Sequence, residues 1–266
     1  MSENNRSNSS LFEAETGISN CDNFAECCSS TSLELERSDI QPGDERRGSR
    51  NPSVLLLTEA PDQKSSEGTA YSGPTSRRMI SYFYDEEYGI GIKGEPPDSF
   101  SAFLNENDFY ATSAIKCFVG GSVSKVGGHV VRSCKRKFLS NQVGAMKNLD
   151  LVITMGRVAT ASMLDSTSDP LDIQLSQILG RRGSGILTKE HGRDVPLVAF
   201  PHPSGQNPMA NPPLINSDDN RKQRNKKIHF RDALIFVRDK LERMGYDVLQ
   251  DSPDCWDSPG GLSEFS

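Results

Sequence analysis

Apolar side chains are scarce in this chain: they fill 35% of its 266 positions, and mean hydropathy is -0.54. No apolar run reaches the roughly 18 residues that a membrane span requires. No basic start followed by an apolar core opens the sequence either. The expectation is a soluble intracellular protein of the cytoplasm or nucleoid, monomeric and without a membrane partner. There are six cysteines, at 21, 27, 28, 117, 134 and 255, but no compact Cys-x-x-Cys pair among them. Without a secretory signal, a disulfide framework is the weaker account of them.

Bases are missing from the end of the chain, where residues 247–266 hold five acids and none of the opposite sign. Residues 1–50 hold ten acids and five bases. The net charge of -6 therefore hides a middle, residues 51–246, with 25 bases against 21 acids. A pI near 5.3 does not argue against a polyanionic partner once the two ends are set aside. Both ends are rich in Ser and acidic residues, the first also in Asn, and offer little apolar area to offset the entropy of ordering them. Three regions are expected: an N-terminal part (1–50) mostly without fixed structure, one α/β domain (51–246) and an acidic tail (247–266).

Four near-continuous apolar segments read as buried strands: SVLLLTEA from Ser53, FYATSAIKC from Phe109, DLVITMG from Asp150 and VPLVAF from Val195. Continuous rather than alternating patterning suits a parallel sheet covered on both faces. Helical candidates follow each of them: TSRRMISYFYDEEYG, GHVVRSCKRKFLSNQVGAMKNL, RVATASMLD and KKIHFRDALIFVRDKLERMG. The implied fold is a three-layer αβα sandwich around a four-stranded parallel sheet. Ligands in such folds sit beyond the carboxyl ends of the strands. Those ends are TEAPD, SAIKC, TMGR and FPHPS.

Three groups of residues there carry chemistry. In TEAPDQKSSEGTAYSG, Glu59 and Asp62 flank a strand-ending proline, and Tyr71 lies in a glycine-flanked turn where its ring could cover a flat ligand. Capping acids and a loop anchor would look the same. Cysteines with no evident core around them, at 21, 27 and 28, together with Cys117 and Cys134, fit thiolate ligation of a metal or a [4Fe–4S] cluster. Separate structural thiols would also fit. In FPHPSGQNPMANPP, two prolines fix the backbone around His202, and Ser204, Gln206 and Asn207 add uncharged hydrogen-bonding groups. A polar plug at a strand end is the alternative there. Nearby, RKQRNKK gathers five bases in seven residues, a phosphate-binding run or a solvated helix start.

Read together and in order, the strand ends resemble the uracil-DNA glycosylase superfamily from about Val54 to Met244. VLLLTEAPD resembles the GEAPG turn of its iron–sulfur (family 4) members, and FYATSAIKC resembles their Thr-Asn-x-x-Lys-Cys strand. CKRKFLSNQ with LDLVITMGRVATASML is similar to their Cys, Leu, Gln and Leu-Gly-Arg-x-Ala pattern. HPSGQNPMAN is similar to the histidine loop of the single-strand-selective uracil glycosylases. The resemblance implies a DNA glycosylase of base excision repair. It would flip uracil or another deaminated base and hydrolyse its N-glycosidic bond without a covalent enzyme–DNA intermediate. His202 would stabilise the departing base at O2, Glu59 would orient the attacking water, and Tyr71 would stack on the base. Backbone N–H groups from Pro61 to Gln63 would contact that base, with Asp62 beside it. Ser204, Gln206 and Asn207 would probe the DNA, Gln206 falling where the single-strand-selective enzymes place a wedging arginine. Cys117, Cys134, Cys21 and one of Cys27 or Cys28 would hold a [4Fe–4S] cluster.

The chain departs from this pattern at the base-reading asparagine, which falls on Ser113, and at the two glycines of GEAPG, which are Thr58 and Asp62. A serine cannot present an acceptor and a donor side by side as an amide does. A DNA-binding protein on a glycosylase scaffold, with little or no catalysis, is the competing expectation.

Overall fold

The computed structural model describes residues 11–18, 21–29, 35–37, 47–61, 74–120, 123–164, 185–188, 193–203 and 220–249. The elements that set the architecture are strands β2 (Val54–Thr58), β3 (Phe109–Ser113), β5 (Leu151–Met155), β6 (Gly185–Thr188) and β7 (Arg193–Phe200). They form one sheet in the order β3-β2-β5-β7-β6. The first four are parallel, as the patterning implies, and β6 adds an antiparallel edge beside β7.

Every residue of β2, β3 and β5 is buried, which explains why those strands lack alternation. Val54, Leu56, Ala111, Ile153, Met155 and Phe200 face one layer, formed by α3 (Pro74–Tyr84), α4 (Phe100–Glu106) and α8 (Arg221–Arg243). Leu55, Leu57, Tyr110, Val152 and Leu197 face the other, with α1 (Leu11–Glu15), α6 (Ser140–Ala145) and α7 (Arg157–Met163). Each fully buried Leu contributes about 1.5–3 kcal/mol of transfer free energy. The β2 leucines therefore anchor that strand between β3 and β5, with both of its faces covered.

FYATSAIKC is not one strand. β3 stops at Ser113, the chain turns, and β4 (Cys117–Val119) pairs antiparallel with β1 (Leu35–Arg37) outside the main sheet. Cys117 therefore opens a strand rather than closing one. The turn is held by Ala114 and Ile115, whose N–H groups donate to the carbonyls of Thr58 and Glu59. The long helix expected after it forms as α5 (Gly128–Cys134), one wider π turn (Lys135–Leu139) and α6. Such a turn admits one extra residue and often marks a functional position; here it begins immediately after Cys134.

The described residues of the acidic N-terminal part pack on this core. Leu11, Ala14, Ile18, Cys21 and Cys27 are buried, the last two on or beside α2 (Phe24–Ser29). Glu15 lies fully buried against the sheet. It accepts from Tyr110 Oη and, at 3.1 Å, from Arg50, with the Arg47 guanidinium 3.7 Å away.

Candidate active site

β2, β5 and β7 end side by side, and their ends bring Glu59, Gly156 and His202 to one edge. Glu59 leaves β2 and crosses the end of β5, where its Oε1 accepts from the Val158 N–H at 2.9 Å. Gly156 makes that crossing possible. Its φ of +97° is a conformation that favours glycine, and a Cβ there would sit 2.6 Å from the Glu59 carboxyl. Gly156 also donates its N–H to the Phe200 carbonyl at 2.9 Å, so it positions the end of β7 as well.

His202 follows two residues later between buried prolines. Behind it, Phe200 packs edge-on against Tyr82 and Phe230, with centroids 6.0 and 5.3 Å away, which joins β7 to α3 and α8. Arg78 donates to the Pro203 carbonyl from α3 at 3.4 Å. Burial lowers the His202 pKa, and the nearby Glu59 charge opposes that shift. The ring is thus held neutral and still keeps an N–H to donate.

Ser113 is buried at the end of β3, opposite Thr58 in register. The two hydroxyls are 2.9 Å apart, and Thr58 Oγ1 also donates to the Thr112 carbonyl at 3.3 Å. Lys116 stands away from this edge. Its buried ammonium donates to Thr112 Oγ1 at 2.8 Å and Gln142 Oε1 at 2.6 Å, and burial with the neighbouring Arg47 charge lowers its pKa to about 7. Asp62, Tyr71, Ser204, Gln206 and Asn207 lie outside the described residues.

A second constellation lies below the turn after β3. Cys21, Cys27, Cys117 and Cys134 line one cavity, walled by Phe24, Ile115, Val130 and Phe138, with Lys116 and Lys137 beside them. The Lys116 backbone N–H donates to the Cys134 sulfur, while burial and the nearby Cys21 raise the Cys134 thiol. Lys137 also pairs with Asp22, tying the π turn to the N-terminal segment. Among the described residues no set of three or more Cys, His, Asp or Glu is drawn together tightly enough to grip an ion. The four sulfurs share a pocket without closing on one another. The side chain of Cys28, and Cys255 entirely, lie outside the described residues.

The fold is that of an α/β protein built on a parallel sheet, a class in which ligands bind beyond the carboxyl edge. The chain belongs to the uracil DNA glycosylase superfamily, whose family model matches residues 45–229. A search of curated proteins found no match. The matched span includes Glu59, Ser113, Cys117, Cys134 and His202 but not Cys21 or Cys27. Family membership supports a glycosylase-type hydrolase acting on DNA; no described helix is long and apolar enough to cross a membrane.

Sequence reading passed over Gly156 and Arg78. TMGR does signal the first, because a glycine between a buried strand and a helix start marks a backbone position needing positive φ or close approach. Nothing in the sequence marks Arg78, whose partner is a backbone carbonyl about 125 residues away.

Proposed function

We propose that the protein is a monofunctional DNA glycosylase that hydrolyses the N-glycosidic bond of uracil or another deaminated base. The observation that carries this is that the ends of β2 and β7 bring Glu59 and His202 to one edge, near enough for the Glu59 charge to act on the imidazole. As the bond to C1′ breaks, negative charge develops on the base and positive charge on the sugar. His202 donates to the first, and as a neutral ring it adds no positive charge against the second. The Glu59 carboxylate, oriented by the Val158 N–H, accepts a proton from water directed at the sugar. Tyr71 covers the flipped base, Asp62 and the neighbouring backbone border it, and Ser204, Gln206 and Asn207 contact the DNA beyond it, as in the single-strand-selective relatives the loop resembles.

A [4Fe–4S] cluster belongs to the same proposal and is of the family 4 kind. Four cysteine sulfurs on one apolar-walled cavity match the donor set of such a cluster, and two lysines beside them suit its negative charge. Cys21, Cys27, Cys117 and Cys134 would hold it. Bound there, it would cross-link the N-terminal segment to the domain. Iron and sulfide content, with the visible absorbance of iron–sulfide charge transfer, tests this: both are expected in protein purified without oxygen. Their absence after reconstitution would remove the cluster.

Excision of uracil, hypoxanthine and xanthine from single- and double-stranded DNA tests the activity. Abasic product from at least one is expected. Ser113 in the place of asparagine favours one other reading, a damage-binding protein that does not cleave. Salt-dependent affinity for these DNAs without abasic product would establish it.

A further inference from the structure

The buried hydroxyl pair at the end of β2 and β3 has a direction. Thr58 has one proton and two neighbours for it, the Ser113 hydroxyl at 2.9 Å and the Thr112 carbonyl at 3.3 Å. If that proton goes to Ser113, the carbonyl contact is lost and the Ser113 proton has no partner among the described residues. If it goes to the carbonyl, Ser113 donates to Thr58, and both protons are used. Thr58 and Ser113 are only 6% and 5% exposed, and a buried donor left unsatisfied is costly. Two bonds against one decides the order: Ser113 donates to Thr58, which donates to Thr112. A serine hydroxyl ordinarily rotates to suit its partner. This one has its proton committed, so it offers lone pairs only.

We propose that Thr58 fixes Ser113 as an acceptor-only reader, which selects bases with a ring N–H on their pairing edge. The inference rests on the proposed base-binding role of this edge. Uracil offers N3–H, and hypoxanthine and xanthine offer N1–H. Cytosine and adenine present a bare ring nitrogen at the same place, and its lone pair faces the lone pairs of Ser113. To accommodate them, both protons of the chain must turn and the bond to Thr112 is lost. Loss of a cytosine or adenine amino group by hydrolysis creates the N–H that this reader requires. Thr58 and Ser113 thus perform with two hydroxyls and a backbone carbonyl the discrimination that an amide side chain performs alone. The threonine in place of glycine and the serine in place of asparagine become one compensated change.

The test is equilibrium binding, which does not depend on catalysis. Duplexes carry 2′-fluorinated nucleotides, which resist cleavage, with uracil, N3-methyluracil or cytosine as the base. The wild-type protein is expected to prefer uracil over both others by about tenfold or more, the worth of one buried hydrogen bond. Thr58→Val frees the Ser113 proton and is expected to reduce the uracil-to-cytosine ratio about tenfold. Thr58→Ser restores it. N3-methyluracil bound by the wild-type protein as tightly as uracil would overturn the proposal, even if Thr58→Val failed to fold. An unchanged ratio in folded Thr58→Val would do the same. Excision assays on the unfluorinated duplexes, run in parallel, judge the glycosylase activity separately: no abasic product with the binding preference intact removes the activity and leaves the reader standing.

Discussion

Glu59 and His202 stand just past the ends of β2 and β7, and their positions follow from the register of the sheet. Cys21 and Cys27 stand on a short helix and a turn from a polar segment, and they reach Cys117 and Cys134 only through packing outside that sheet. The pocket edge is therefore organised by the protein itself: a glycine, a helix N–H and an aromatic triad hold its groups. The cysteine cavity has its donors gathered but not closed. A parallel sheet places chemistry at its edge as a by-product of folding, whereas a site assembled from distant loops depends on its own ties.

Glu15 is the tie whose removal should separate the two regions most. Glu15→Ala leaves the buried Tyr110 hydroxyl and the Arg47 guanidinium without their carboxylate. Breaking a buried charge pair costs about 3–5 kcal/mol, which lowers the melting midpoint by roughly 6–20 °C at this size. Calorimetry should show that loss, and loading of the proposed cluster should fall with it, because α1 leads into the cysteine segment. His202→Ala acts on the other region. Removing one positioned donor to a developing oxyanion costs about 10²–10³ in rate. Single-turnover excision should fall by that factor while affinity for abasic DNA and iron content stay near wild type.

Gly156→Ala sharpens the comparison within the pocket. The new Cβ displaces the Glu59 carboxyl and strains a backbone conformation essentially confined to glycine by about 1–3 kcal/mol. Excision should drop roughly tenfold or more, with the visible spectrum unchanged. The smallest effect is a pH dependence. His202 has a lowered pKa in the folded protein, so below the ordinary histidine value the unfolded chain binds the extra proton first. Its contribution to stability is complete at neutral pH and is lost as pH falls through that window. Denaturant titrations at pH 7 and pH 5 should differ by less for His202→Gln than for the wild type.

Much of the fold was legible because the buried strands are written as uninterrupted apolar runs. Residues 54–58 and 151–155 need only their composition to be recognised. The antiparallel β6 was not legible: GILT is four residues long, and only its partner β7 distinguishes it from a loop. The break after Ser113 was hidden for the opposite reason, since Ala114 and Ile115 prolong the apolar run while their N–H groups turn back onto β2. Glu59 and His202 could be picked out as charged or titratable residues at strand ends. Glu15 could not, being one acid among the ten in the first fifty residues. Its importance arises from burial opposite Arg47, which no local pattern records.

The pairing of β1 with β4 also sets an order in time. Cys27 leaves the ribosome more than a hundred residues before Cys134, an interval of roughly 5–20 s at ordinary rates of synthesis. Throughout it, the thiols of Cys21 and Cys27, with that of Cys28 beside them in sequence, wait in a nascent chain without the strand and helix that later enclose the cavity. Premature oxidation or capture by another thiol in that window would harm the cysteine cavity alone. The strands that end in Glu59 and His202 carry no sulfur and fold without regard to it.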